Sequence, residues 1–187
     1  MTDKSQINAK ELGAFLLEAK RNCWASGKKA EKLRTGAKRY IFVGNMHLYE
    51  DNYFEDDPNP FIGQETVFQN GKPIWGMNYY GKFSEEGMKY ADQKGLMNFL
   101  REALMANDSI ETPFRGPKVP NLSKSIIKDN LEYFNSVDLH RDSIFDFNGE
   151  ERIVLGTSDI ETIIIDDSLR YAKGKTLYQL NYHGGII

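Results

Sequence analysis

Apolar side chains recur at Leu12, Phe15, Leu16, Ala19 and Cys23, in steps of three, one, three and four. That spacing follows one face of a helix and predicts one from about Ala9 to Trp24, ended by Ser26-Gly27, since a glycine past the last periodic residue is a common stop. A polar tail, residues 1–8, is expected to be disordered, and residues 9–187 to form a single domain. The stretch Lys28 to Arg39 is almost free of apolar residues and reads as a basic loop. Tyr40-Ile41-Phe42-Val43 then opens a strand-like run continuing through His47-Leu48-Tyr49. An acidic turn from Glu50 to Asp57 follows, closed by Pro58-Asn59-Pro60.

Gln64 to Phe68 alternates as a strand, Asn70-Gly71 suits a type I′ hairpin turn, and Ile74 to Tyr80 is the returning strand. Ser84 is placed to cap a second helix, with Glu85 and Glu86 in its first turn and Leu96, Phe99, Leu100, Ala103 and Leu104 as its apolar stripe. Gly87 and Gly95 weaken its first half. An irregular connection spans Asn107 to Asn121. Ser123 to Phe134 suits a third helix, although Tyr133-Phe134 also suits a strand. Further strands are expected at Ser143–Phe147, Arg152–Leu155, Ile160–Ile165 and Thr176–Tyr182, separated by turns at Asn148-Gly149 and Gly174. Helices flanking hairpin-connected strands give an α+β class, a twisted antiparallel sheet with two or three helices on one face.

Two stretches echo each other. Residues 71–82 read Gly-Lys-Pro-Ile-Trp-Gly-Met-Asn-Tyr-Tyr-Gly-Lys, and residues 174–185 read Gly-Lys-Thr-Leu-Tyr-Gln-Leu-Asn-Tyr-His-Gly-Gly. Strand alternation puts Trp75, Met77 and Tyr79 on one face, matched by Tyr178, Leu180 and Tyr182, and this apolar set is assigned to the core. The opposite face carries Asn78 and Tyr80, matched by Gln179, Asn181 and His183. If the two strands are neighbours, these five residues form one polar, aromatic surface.

Composition narrows the picture. With 187 residues, 40% hydrophobic and 27% charged, the chain suits one soluble core. Aromatics at 12% favour strands. A formal charge of −3 argues against a general nucleic-acid binder, which carries a basic excess. The lone Cys23 precludes an internal disulfide. No signal-like or membrane-length apolar run is present, so a cytoplasmic location is expected.

Phe15-Leu16-Leu17-Glu18-Ala19-Lys20, Gly63-Gln64-Glu65-Thr66-Val67, the Gly71–Gly81 block, Phe114-Arg115-Gly116-Pro117 and Tyr182-His183-Gly184-Gly185-Ile186-Ile187 resemble a bacterial family of unknown function. Its members occur alone or after a Cro/repressor-type helix-turn-helix. The Ile74–Gly81 and closing blocks are the specific ones. The chain departs from that pattern in a longer, more charged segment from about Ser123 to Lys173, and in having no DNA-reading module ahead of Phe15. The resemblance implies an accessory or sensory α+β domain and supplies no catalytic residues.

Candidate chemistry is sparse. The acidic stretch Glu50–Asp57 lacks the alternate ligand spacing and central glycine of a calcium loop, so no metal is expected there. The basic loop has no phosphate-loop pattern, and its natural counterpart is the acidic stretch itself. His183 could act as an acid or base, oriented by Glu65 and helped by Tyr80. A histidine bonded to backbone at a strand end is the structural alternative. His47 and His140 add no ligand spacing. Cys23 sits on an apolar stripe, as a buried hydrophobe does. The residues therefore point to a non-catalytic ligand-binding or regulatory module, without cofactor. It would hold a small polar molecule or peptide on Asn78, Tyr80, Gln179, Asn181 and His183. The alternatives are a small hydrolase-like enzyme using His183 with Glu65, and a protein-interaction or homodimerisation domain. Neither membrane nor direct nucleic-acid binding is expected.

Overall fold

A computed structural model describes residues 7–56, 59–92, 95–117, 126–128, 130–156, 162–166, 169–172 and 174–187. Most of the tail expected to be disordered thus lies outside the described residues. Helix α1 spans Ala9–Asn22. The Asn8 side chain accepts the Lys10 and Glu11 amides at 3.0 and 3.2 Å, satisfying donors that a first turn leaves orphaned. A single 3-10 turn, Trp24–Ser26, continues the helix and ends at Gly27 with φ 75°.

Strands β1 (Glu31–Lys32) and β2 (Lys38–Gly44) come from the basic stretch and the run after it. The run expected to be continuous from Tyr40 to Tyr49 is instead a hairpin. Asn45 and Met46 take φ values of 46° and 62°, and β3 returns over His47–Glu55. A two-residue turn with positive φ at both positions fits the twist of a hairpin, and Met46 gave no sign of it. The supposed acidic turn is mostly the second half of β3, which places Asp51 on the buried side in line with His47, Tyr49 and Tyr53. Strands β4 (Phe61–Gln69) and β5 (Lys72–Phe83) close around Asn70-Gly71, whose φ values are 51° and 74°.

The second helix divides in two, α2 (Glu85–Asp92) and α3 (Gly95–Met105). Ser84 Oγ accepts the Gly87 amide at 3.1 Å. Beyond it, β6 (Ile126–Lys128) and β7 (Leu131–Ser143) stand where a helix was the first expectation. Leu131, Tyr133, Asn135 and Val137 are buried at every second position, a strand period that overrides the helical reading. Strand β8 covers Asp146–Gly156, so Asn148-Gly149 lies within a strand and the hairpin turns at Ile144-Phe145. Among the described residues, strands β9 (Thr162–Asp166) and β10 (Leu169–Ala172) pair only with each other, and β11 runs from Gly174 to Ile186.

Among the described residues, nine strands form one antiparallel sheet in the order β1-β2-β3-β4-β5-β11-β8-β7-β6. Helices α1 and α3 cover one face, where Leu12, Phe15, Leu16, Leu96, Phe99 and Leu100 join Trp75, Met77 and Leu180 in a continuous core. This is the expected α+β architecture. Among the described residues, no helix is long and apolar enough to cross a membrane.

The echoing segments are adjacent strands, and Tyr79 lies directly opposite Tyr182. A local twofold axis therefore passes between them, perpendicular to the sheet. It relates the meander β3-β4-β5 to β7-β8-β11, and the equivalence extends well past the echo. Tyr49 and Asp51 on β3 correspond to Tyr133 and Asn135 on β7. Gly63 and Glu65 on β4 correspond to Gly149 and Glu151 on β8.

Candidate functional site

Each half contains a tyrosine that lies flat across its neighbouring strand. Tyr79 sits opposite Gly63, and a Cβ on that glycine would come within 2.4 Å of the ring. Tyr182 sits opposite Gly149 with the same 2.4 Å clearance. Only glycine leaves this space. Each ring thus crosses one strand and bonds the next. Tyr79 donates its hydroxyl to Asp51 Oδ1 at 2.7 Å, and Tyr182 donates to Asn135 Oδ1 at 2.8 Å.

Around this shared frame the two halves diverge. In the second half, Glu151 is fully buried and accepts three bonds at 2.6 Å, from the Arg115 guanidinium and the Tyr133 and Tyr178 hydroxyls. Asn135 donates its amide to the Gly116 carbonyl at 2.7 Å, and the Gly116 amide bonds the Tyr133 hydroxyl at 3.0 Å. Both Glu151 oxygens and both ends of the Asn135 side chain are thus bonded, as buried polar groups require, while Arg115 Nε is a buried donor without a partner among the described residues.

The first half is less completely bonded. Among the described residues, Lys20 of α1 is the one group bonded to the Glu65 carboxylate. Asp51, directly across from Glu65, has Tyr79 on one oxygen. Its Oδ2 has no protein partner among the described residues and is open to a cavity. That cavity lies between α1, α3 and the core face of β3, β4 and β5. Tyr49, Tyr53, Phe61 and Tyr178 supply ring surface from the sheet side, and Leu100 and Leu104 close it from α3.

Burial, reinforced by the neighbouring Glu65 charge, pushes the Asp51 carboxyl up to about 7, against the pull of Tyr79, Lys20 and Arg115. Burial lowers the Lys20 ammonium, with Glu65 partly restoring it. Asp51 therefore sits where a small change in surroundings switches its charge. Burial also pushes the Cys23 thiol up to about 12, which leaves it an inert wall residue.

Asn78, Tyr80, Gln179, Asn181 and His183 all lie on the opposite, outer face of the sheet. The register pairs Asn181 with Tyr80 and His183 with Asn78, so the structure brings the five together, with Asn78, Tyr80, Asn181 and His183 exposed. Glu65 does not join them. It is 2% exposed on the core face, so it cannot orient His183, and the proposed Glu65–His183 pair is absent. His47 is buried against Phe15, with ring centroids 5.0 Å apart, and His140 lies in β7. From the basic stretch, Lys38 does meet the acidic one, pairing with Glu55.

Asp51, Lys20, Tyr79 and Arg115 were absent from the sequence-derived site. Their signal was available in the alternation His47-x-Tyr49-x-Asp51-x-Tyr53, and in Gly63-x-Glu65 matching Gly149-x-Glu151.

A family described as a domain of unknown function, DUF5680, matches residues 51–166, more than half of the chain. The chain belongs to this family. The DUF5680 match takes in Asp51, Gly63, Glu65, Tyr79, Arg115, Asn135, Gly149 and Glu151, while Lys20 of α1 and the tyrosines of β11 lie outside it. No curated protein and no solved structure matches the chain.

Proposed function

We propose that the chain is a non-catalytic binding domain whose small-molecule ligand occupies the cavity above Asp51 and Glu65. One observation carries this reading. Asn135 and Asp51 hold equivalent places in the two halves, yet only Asn135 has both ends of its side chain bonded by protein. An open polar group in an aromatic-walled cavity is the usual form of a ligand site. A sensory role, as the resemblance to regulator-associated domains implies, would use cavity occupancy as its input.

Leu104→Trp, on α3 at the cavity wall, tests the site. A thermal-shift screen of metabolites should yield stabilisers of the wild type, and the variant should lose those shifts while keeping its own melting transition. Stabilisers that act equally on both proteins would place binding elsewhere.

A second reading concerns the outer face. Phe54, Ile62 and Tyr80 follow one another across β3, β4 and β5 and lead to Asn181, with exposures of 54%, 56% and 46% for the three. Such a row favours a peptide-holding surface, with Asn78, Gln179 and His183 beside it. Its test is a peptide-library panning in which Ile62→Asp abolishes capture and Leu104→Trp does not.

A further inference from the structure

The charge accounting around the cavity narrows the ligand class, provided that the cavity is the binding site. Every cation at its wall already has an oxygen partner. Lys20 is bonded to Glu65, Arg115 to Glu151, and Arg21 to the Asn107 carbonyl at 2.6 Å. The Glu55 carboxylate is bonded to Lys38. What the cavity can reach is an acceptor, Asp51 Oδ2, on a residue 6% exposed, since the unbonded Arg115 Nε is itself fully buried. The twin differs in kind here, because the Asn135 amide nitrogen donates where the Asp51 carboxylate Oδ2 can only accept. In the second half the Asn135 side chain reaches Gly116 of the connecting segment, whereas above Asp51 the corresponding space is cavity.

We infer that the cavity takes an amphipathic ammonium, its aromatic or alkyl body among the rings and its charged nitrogen donating to Asp51 Oδ2. Ring faces and a carboxylate are the two groups that together favour an organic cation over a neutral or anionic molecule of the same shape. An anion would instead face Asp51 and Glu65 side by side, with Lys20 already engaged.

Binding then involves a proton. Around Asp51 stand Glu65 from β4, Tyr79 from β5, Lys20 from α1, Arg115 from the segment after α3, and Tyr49 and Tyr53 of its own strand. With its carboxyl raised to about 7, Asp51 is largely protonated in mildly acidic solution and must lose that proton to hold an ammonium. Affinity therefore rises with pH up to about 7 and levels off above it, until the amine itself loses its charge near roughly pH 10.

Isothermal titration of the whole chain with phenylbutylamine, phenylbutanol and phenylbutyrate tests this. At about pH 8 the amine should bind at least ~10-fold more tightly than the alcohol or the acid. The amine's affinity should fall about tenfold per pH unit well below pH 7. Asp51→Asn should bring the amine down to the alcohol's affinity and leave the alcohol unchanged. Asparagine already occupies the twin position, so this variant is expected to fold, and the pH series on the wild type stands independently of it. An alcohol or acid that equals the amine, or an amine whose affinity ignores pH, overturns the ammonium and leaves the cavity standing as a site. Failure of all three probes to bind, or binding that survives Leu104→Trp, overturns both.

Discussion

Glu151 and Asp51 are both buried carboxylates on the same face of one sheet, held in frames related by a twofold axis, yet they are treated oppositely. Glu151 is sealed, with an arginine and two tyrosines donating to it. Asp51 has one tyrosine and an open side. A carboxylate bonded on both oxygens contributes rigidity, whereas one with an open oxygen is available to a partner. The contrast separates structural from functional chemistry without reference to any other protein, since each half serves as the control for the other.

The largest effect should come from breaking the sealed side. Glu151→Gln leaves Arg115 buried without its counter-charge, and urea denaturation should show a loss of about 3–5 kcal/mol. A variant as stable as the wild type would dissolve the contrast. Next come the bracing tyrosines. Tyr182→Phe strands the sealed Asn135 oxygen and should cost about 1–3 kcal/mol. Tyr79→Phe should cost less, because Asp51 is reached from the cavity and can stay protonated.

The open side should respond with the opposite sign. An acid whose folded-state value is raised, as at Asp51, contributes its stability below the unfolded value near roughly pH 4 and loses it as pH climbs toward about 7. Asp51→Asn should therefore stabilise the protein by about 1–2 kcal/mol near pH 8. The gain should shrink to nothing near pH 4, as read from melting curves across that range. A gain independent of pH would detach it from ionisation. The smallest effect is expected at His183, exposed on the outer face, where His183→Ala should change stability by no more than about 0.5 kcal/mol and leave probe binding at the cavity untouched.

Much of this architecture was legible from side-chain periodicity. The α1 stripe, the Asn70-Gly71 hairpin, the α3 stripe and the assignment of Trp75, Met77 and Tyr79 to the core all follow from period and turn chemistry. The echo pointed to β5 and β11 as counterparts, and they are neighbours. What escaped was governed by contacts between distant segments. Met46 adopts positive φ because the hairpin demands it. Gly149 resembles a turn residue because its actual role, making room for Tyr182, depends on a strand some thirty residues away. The acidic run looked like a solvated loop because Asp51 lies among Glu50, Glu55 and Asp56 in sequence, and only strand alternation sends it inward. The candidate site was missed for the same reason, as its lysine, aspartate, tyrosine and arginine come from four separate elements.

The two glycines beneath the tyrosine rings also bear on alignment during folding. Sliding β4 or β8 by two positions would keep every apolar side chain on its proper face, so hydrophobic sorting alone tolerates the slip. The rings do not tolerate it, because each needs a gap in the neighbouring strand and finds one only at Gly63 or Gly149. Tyrosine and glycine thus act as key and keyway, and the meander locks at the one offset where both keys fit.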